Sequence, residues 1–517
     1  QLRPPLGMEA DLLHRGILWA VPSETPTSPV ELDAYRAGAD RFIAELDEEY
    51  YLHYAGLKDR LELEEIYERH SMLTALENVQ ALGASVNGDR RIRELWHFGC
   101  EGYIGKLTRE HAEKEAALEA ELEVTVDSET ITFRMLRPTM ANEPDRARRE
   151  KLDRVMWEAT EEHLNPVYLE SIQVVHGALP QLGASTYVEL YERFGLDLRN
   201  LARQCEAFLG STEQLYEDTL DRATRELLGL SLDETQRWDL QRMIRSPQWD
   251  EGFPGEKMVP ALKATLADLG IDLDSQQNVH LDIEQRPQKS PRAFCAPIEI
   301  PDKVMLVIQP IGGVDDWRAF FHEAGHTEHY ANTSRNLTME EKRLGDVAVT
   351  EGWAMLLQHL TDEPGWLSRK LDFPRPDEYA AEGMMWLLFF VRRYCAKLLY
   401  ELEFHESEDL SGMPKRYVEL LGNATKIEPS PVNYLADIDA GFYVYSYLRS
   451  WAFETQLRDY LRERFGSEWF TQREAGSLLR ELWAEGQKPT ADELLKDVTG
   501  AELEMASVED RIRETLG

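Results

Sequence analysis

From residue 29 to about 116, apolar residues recur at three- and four-residue spacing with charged residues between them, as in the stretch 35–54. That spacing puts the apolar side chains on one helix face, so long amphipathic helices are predicted there. Over 123–136 the period shortens to two: Val124, Val126, Ile131 and Phe133 alternate with polar residues around Asp127 and Ser128. A hairpin interrupting the helices is predicted. Helical spacing returns from 144 to about 270, punctuated by Gly183, Gly195, Gly210 and the turn at Pro254 and Gly255. Two short strands follow, at 293–298 and 304–309. The second carries Val304-Met305-Leu306-Val307-Ile308, rich in β-branched residues and bounded by Pro301 and Pro310. From 315 to the end the pattern is helical again, with loops near 364–376, 422–431 and 486–489. The fold class predicted is mainly α, with one small sheet just before the segment 321–329. No Pro/Gly/Ser linker, repeat or low-complexity tract divides the chain.

Composition narrows the possible partners. Lys and Arg number 57 against 95 Asp and Glu, a formal net charge of -38, which argues against binding nucleic acid or anionic lipid, since both need clustered cations facing phosphate. Cys100, Cys205, Cys295 and Cys395 form no CxxC pair, so neither a zinc knuckle nor a disulfide framework is expected; a reducing, cytoplasmic setting fits. The longest apolar run, 384–391, ends at Arg392 and Arg393, well short of the ~20 residues a membrane span needs, and reads as a buried helix. No secretory signal is visible, and the sequence opens at Gln1, which leaves open what precedes it. Oligomeric state has no signal in the sequence.

The candidate chemistry lies in Phe321-His322-Glu323-Ala324-Gly325-His326-Thr327-Glu328-His329, preceded by Asp315 or Asp316 as the expected N-cap. Helical positions i and i+4 share a face, so His322 and His326 can direct a ring nitrogen at one ion. Glu323 lies beside that ion without binding it, placed to take a proton from a metal-bound water. One zinc ion suits such a site, because three protein ligands leave a fourth position open. Four carboxylates downstream compete for the third place. Glu328 projects from the wrong face, and Glu340 and Glu341 sit in a polar stretch that reads as a solvated turn or helix start. Glu351 lies in an apolar helix, 347–357, where a carboxylate needs a cation to offset its burial. Asp346 is a candidate acceptor for a ligand imidazole, and His329, on the face of His322, a supporting or packing histidine. Farther on, Tyr443, Tyr445 and Tyr447 stand at alternate positions. A phenol from this run can reach a developing oxyanion; Tyr443 and Tyr447 share a helical face, and Tyr445 points away.

These segments together resemble the thimet oligopeptidase, neurolysin and oligoendopeptidase F family of zinc peptidases. The resemblance covers about 238–451 and rests on Trp238-Asp239-Leu240 with its following helix, Arg292-Ala293-Phe294-Cys295 leading into 304–309, the His322 to His329 segment, and the tyrosine run after Asp439. It implies a helical ellipsoid split by a deep substrate channel, with 1–235 forming one wall and 236–517 the catalytic region. It implies zinc on His322, His326 and Glu351, Glu323 as base, and hydrolysis of short unstructured peptides. It further implies that 304–309 is an edge strand pairing with substrate through Val304, Leu306 and Ile308. A family tyrosine falls on Tyr445 in either of two alignments. The sequence departs from the family in having no histidine in 431–439, where Tyr434 is the nearest polar aromatic substitute, and in Gly352-Trp353-Ala354 after Glu351. Two other readings follow: a dipeptidyl carboxypeptidase or carboxypeptidase resembling angiotensin-converting enzyme, with Arg449 the nearby basic residue for a terminal carboxylate; or a zinc-holding peptide-binding protein without turnover. Arg286, Lys289 and Arg292 are expected to make the channel locally positive.

Overall fold

Tyr35, Ala39, Phe42, Leu46 and Tyr50 follow the predicted spacing and are all buried along one face of helix α1 (Leu32–Tyr54). The computed structural model describes residues 31–517, so the first positions of the segment predicted from 29 lie outside the described residues. A second long helix, α2 (Arg90–Glu121), starts where the Asp89 carboxylate accepts the Arg91 N–H at 2.9 Å, and it buries Leu95, Trp96, Cys100 and Tyr103. The predicted hairpin follows as β1 (Glu123–Val126) and β2 (Glu129–Thr132), paired antiparallel. Asp127 and Ser128 both take positive φ, 50° and 70°, as a two-residue turn matched to strand twist requires. The chain from Phe133 to Met135 turns helical, so the hairpin is shorter than 123–136.

The second sheet positions the site. It contains β3 (Val279–Asp282), β4 (Phe294–Glu299) and β5 (Lys303–Val307) in the order β3-β5-β4, with β5 parallel to β3 and antiparallel to β4. This overturns the edge-strand expectation for 304–309. Strand β5 is central, and Val304, Leu306 and Ile308 are at most 1% exposed. An unbroken apolar run marks a strand covered on both faces, whereas an edge strand facing a channel has no need of one. Phe294, Ala296, Ile298, Met305 and Val307 pack on Ala55, Tyr51 and Tyr54 at the end of α1. On the opposite face, Cys295 and Val304 meet Tyr330 and Ala331.

Tyr330 and Ala331 belong to α3 (Val314–Asn332), which carries the histidines. Its N-cap is Gly313, not an aspartate; Asp316 instead accepts the N–H groups of Ile311 and Gly312 at 3.0 and 2.8 Å, tying the preceding loop to the first turn. A short helix, Met339–Arg343, follows, where Glu340 is 1% exposed and pairs with Arg36 of α1 at 2.5 Å, so it is buried and not solvated. Next comes α4 (Val347–Gln358), apolar on nearly every side and buried accordingly. The run 384–391 lies inside α5 (Pro376–Glu406), and the tyrosine run opens α6 (Tyr443–Phe465). Among the described residues no helix is long and apolar enough to cross a membrane.

Glycines set how tightly these helices stack. A Cβ on Gly325 of α3 would lie 2.5 Å from Ala354 Cα and from the Trp353 carbonyl oxygen, both backbone atoms of α4. A Cβ on Gly352 of α4 would lie 2.3 Å from the Phe453 ring of α6. Backbone cannot yield as a flexible side chain can, so Gly325→Ala forces α3 and α4 apart. We expect it to cost about 3 kcal/mol, read as a shift in the urea unfolding midpoint; an unchanged midpoint would contradict this packing.

Candidate functional site

The two-turn crossing of α3 on α4 delivers three side chains to one point. His322 Nε2 lies 3.3 Å from Glu351 Oε2, His326 Nε2 lies 3.6 Å from Glu351 Oε1, and the two Nε2 atoms are 3.2 Å apart. All three candidate ligand atoms fall within 4.8 Å of one another. Each ring is oriented from behind: His322 Nδ1 meets the Gln358 side-chain oxygen at 2.8 Å, and His326 Nδ1 meets Thr350 Oγ1 at 2.9 Å. An amide oxygen only accepts, so Nδ1 of His322 carries the proton and its Nε2 lone pair faces the common point. Burial opposes ionisation of Glu351, but the two imidazoles and the Tyr443 hydroxyl outweigh it and hold the carboxyl down at about 2. Its Oε2 is buried without a hydrogen bond. A buried carboxylate short of donors beside the Nε2 atoms of two imidazoles is a group that could hold a divalent cation.

Glu323 stands next to this cluster outside it. Its Oε2 accepts the Cys295 N–H of β4 at 2.9 Å, and burial pushes its carboxyl up to about 7. The carboxylate is thereby fixed at the sheet edge, bordering the space before the three candidate ligands.

That space is a cavity of about 1160 Å³ walled by both halves of the chain. Phe42, Tyr50, His97 and Tyr191 line it from one side, and His322, Glu323, Tyr443 and Tyr447 from the other. Tyr443 donates its hydroxyl to Glu351 Oε1 at 2.7 Å, and the Tyr447 ring packs 5.1 Å from the Tyr443 ring. Tyr445 also borders the cavity, but its hydroxyl oxygen accepts the Asp197 N–H at 3.1 Å and its ring lies under Arg449. The helix carrying these rings begins abruptly: Gly441 has φ 68°, and Phe442, buried to 0%, has φ 51°. A ring of buried charge fixes the loop before it, with Lys397 Nζ 2.5 Å from Asp439 and Arg393 2.5 Å from Asp437.

Several residues singled out from sequence lie elsewhere. Asp346 touches neither imidazole: it caps α4 by accepting the Ala348 N–H at 3.1 Å and binds Arg449 through both oxygens at 2.8 and 2.7 Å. Its charge goes to a cation and a helix end because Arg449 projects from the neighbouring α6. His329 is in the core beside Tyr330 and Trp353, and burial pushes it down to about 3, so it stays neutral packing. Tyr434 packs with the satellite cluster around Tyr400 and Tyr417 and does not line the cavity. Glu328 accepts from Gln276 and Asn332 at 3.0 and 3.2 Å and does not join the cluster of His322, His326 and Glu351. Of the three cations expected in the channel, only Arg292 lines it; Lys289 is bound to Asp282 at 2.8 Å and Arg286 to Asp282 and Glu284. Asp239 is a buried partner for Arg149 at 2.7 Å, a structural tie. Gln358 and Thr350 escaped the sequence reading, although Gln358 sits seven residues after Glu351 on the same helix, two turns along its face.

No protein-family model matches the chain, and no curated protein matches it in sequence. Solved structures do match. The structure of PZ peptidase A with inhibitor 2 superposes with a TM-score of 0.62 at 14% identity, covering 95% of this chain and 98% of that one. An M32 carboxypeptidase from Deinococcus radiodurans R1 gives 0.60 at 12% identity, covering 94% and 97%. The chain shares the fold of both. The similarity runs nearly end to end, so the mainly helical architecture with its small sheets is common to all three.

Replacing Gln358 by Leu removes the acceptor that orients His322. We expect a divalent cation to bind 10- to 100-fold more weakly, about the loss found when such supporting partners are removed, read by competition with a chromogenic chelator.

Proposed function

We propose that the protein is a zinc-dependent peptidase acting on short, unstructured peptides. The observation that carries this reading is the convergence of His322, His326 and Glu351, with Glu323 beside them, at the wall of a cavity of about 1160 Å³, room for a short peptide and far too little for a folded domain. The fold shared with PZ peptidase A and an M32 carboxypeptidase supports it. Net charge keeps nucleic acid and anionic membranes out of the proposed partners, and the unpaired cysteine pattern suits the cytoplasm. Dividing the chain at 235, we take the described residues 31–235 as one channel wall and 236–517 as the catalytic region.

When bound, a single zinc ion on the three side chains supplies Lewis acidity, polarising a carbonyl and lowering the pKa of a water towards ~7. The chain's own groups do the rest. Glu323, held by the Cys295 N–H and made more basic by burial, removes the proton of the attacking water and carries it to the leaving amine. Tyr447, and Tyr443 once released from Glu351, face the same space and offer hydroxyls to the carbonyl oxygen as it gains charge. Tyr445, the position the family alignment favours, has its oxygen turned to Asp197 and is assigned to joining the walls. Gln358 and Thr350 keep the two imidazoles in register.

A carboxypeptidase is the second reading, favoured by the fold shared with the Deinococcus enzyme. Arg449 does not supply its carboxylate anchor, since Asp346 and Asp492 both hold that guanidinium.

Mass spectrometry of a peptide library incubated with and without a chelator tests the main reading: cuts should appear and vanish with the metal. Glu323→Gln should lower kcat by about 10²- to 10⁴-fold while the protein still holds one zinc per chain by elemental analysis; full activity there would sink the mechanism. For the phenols, Tyr447→Phe should lower kcat by about 10²-fold with KM little changed, and Tyr445→Phe should leave kcat nearly untouched.

A further inference from the structure

The peptidase reading leaves open where a peptide is cut, and strand β4 bears on that. It is the edge of its sheet and borders the cavity from Ala293 to Pro297. In an antiparallel pair, alternate residues turn their N–H and C=O to the partner strand and the others turn them outward. Cys295 is of the outward kind, because its N–H leaves β5 and reaches the Glu323 carboxylate at 2.9 Å. An extended peptide lying beside Glu323 therefore meets the outer edge of β4, where the Cys295 carbonyl faces outward and its N–H is already taken by Glu323.

That edge stops abruptly. The next outward residue, Pro297, has no N–H. Its carbonyl accepts from Arg343 Nη1 at 3.0 Å, and the Ile298 carbonyl accepts from Arg343 Nη2 at 2.8 Å. Successive carbonyls of a regular strand point opposite ways; the irregular register between Ala296 and Glu299 turns both to one guanidinium. Arg343 is held in turn by Asp40 at 2.9 Å and Asp47 at 3.3 Å, both on α1, and its side chain is 5% exposed. It borders the cavity together with Asp47.

We propose, resting on the peptidase reading, that Arg343 is a stop on the peptide-binding edge and sets the position of the cut. It closes β4 two residues beyond Cys295, about 7 Å of extended chain. On that side of the scissile bond only one or two substrate residues pair with the sheet. The substrates are then peptides with a free end within two residues of the cut, and the products include mono- or dipeptides from one end.

The test compares zinc-loaded wild type, Arg343→Lys and, as a control, Arg335→Lys, an exposed arginine paired with Asp302 away from the cavity, on a decapeptide, with cut positions read by mass spectrometry. Lysine keeps a cation for Asp47, which is a quarter exposed, but not the planar fork that holds two carbonyls. Wild type and Arg335→Lys should cut within two residues of one end, and Arg343→Lys should raise the share of deeper cuts about tenfold. A role in stability alone would change the rate and leave the positions alone. A second measurement needs no Arg343 variant: in Glu323→Gln protein, Kd is followed by calorimetry as a peptide is lengthened residue by residue at each end. Affinity should stop rising at one end after two residues. Cuts unmoved by Arg343→Lys, or affinity that keeps rising at both ends, would overturn the stop alone. Neither cleavage nor binding by wild type would remove the peptidase reading and the stop with it.

Discussion

Everything at the candidate site depends on how closely α3 and α4 approach. Two helices with ordinary side chains at their contact stand 8–10 Å apart; here a glycine lets the backbones of α3 and α4 touch, and the Glu351 carboxylate lies 3.3 and 3.6 Å from the two imidazoles. Gly325 removes the obstacle between the two histidines themselves, so the bare backbone of α3 lies against Trp353 and Ala354. Gly352 repeats the device one layer on, seating α4 against Phe453 of α6. The three helices form a graded stack in which the site's geometry is a by-product of backbone contact. The departure at Gly352-Trp353-Ala354 then has a packing cause, since a residue with any side chain at 352 would displace the helix that brings Tyr443 to Glu351.

Charge around this stack is allotted so that few buried ions lack a counterpart. Asp346 serves a helix terminus, the Arg449 guanidinium and the Ala491 N–H together. Glu454 in the core answers His359, Arg458 and Arg511. Such pairs stabilise little in net terms, because desolvation consumes much of the attraction, but breaking one leaves a stranded charge and is severe. Their effect is to fix relative position. Glu351 differs from them: its neighbours are two imidazoles and no Lys or Arg, and its Oε2 is buried without a hydrogen bond, as the proposed metal site requires.

How much of this was readable in the sequence depends on range. The pair His322 and His326 is local, fixed by the helical repeat, and Glu351 was recognisable because an acid in an apolar helix requires an explanation. The hairpin was legible from alternation and its Asp127-Ser128 turn. What failed needed knowledge of neighbours in space. The edge position of 304–309 came from the family resemblance alone, and β3, with His280 and Asp282, carries too little apolar alternation for the sequence to have corrected it. Asp346 was paired with the wrong group because Arg449 is a hundred residues away in sequence. Tyr434 was assigned by proximity to the tyrosine run, and the buried cluster around Lys397 turned its segment towards α5.

The two left-handed residues before α6 bear on the phase of that helix. Gly441 takes its conformation freely, but Phe442 does so at a cost of about 1–2 kcal/mol, held there by burial against Tyr187, Tyr191 and His405. Successive residues of a helix are turned by about 100°. A start displaced by one residue would rotate Tyr443 and Tyr447 off the cavity and bring Val444 and Leu448 to face it. The strained pair thus acts as an index mark: it selects, among three tyrosines that composition cannot distinguish, the two whose hydroxyls share the space with Glu323.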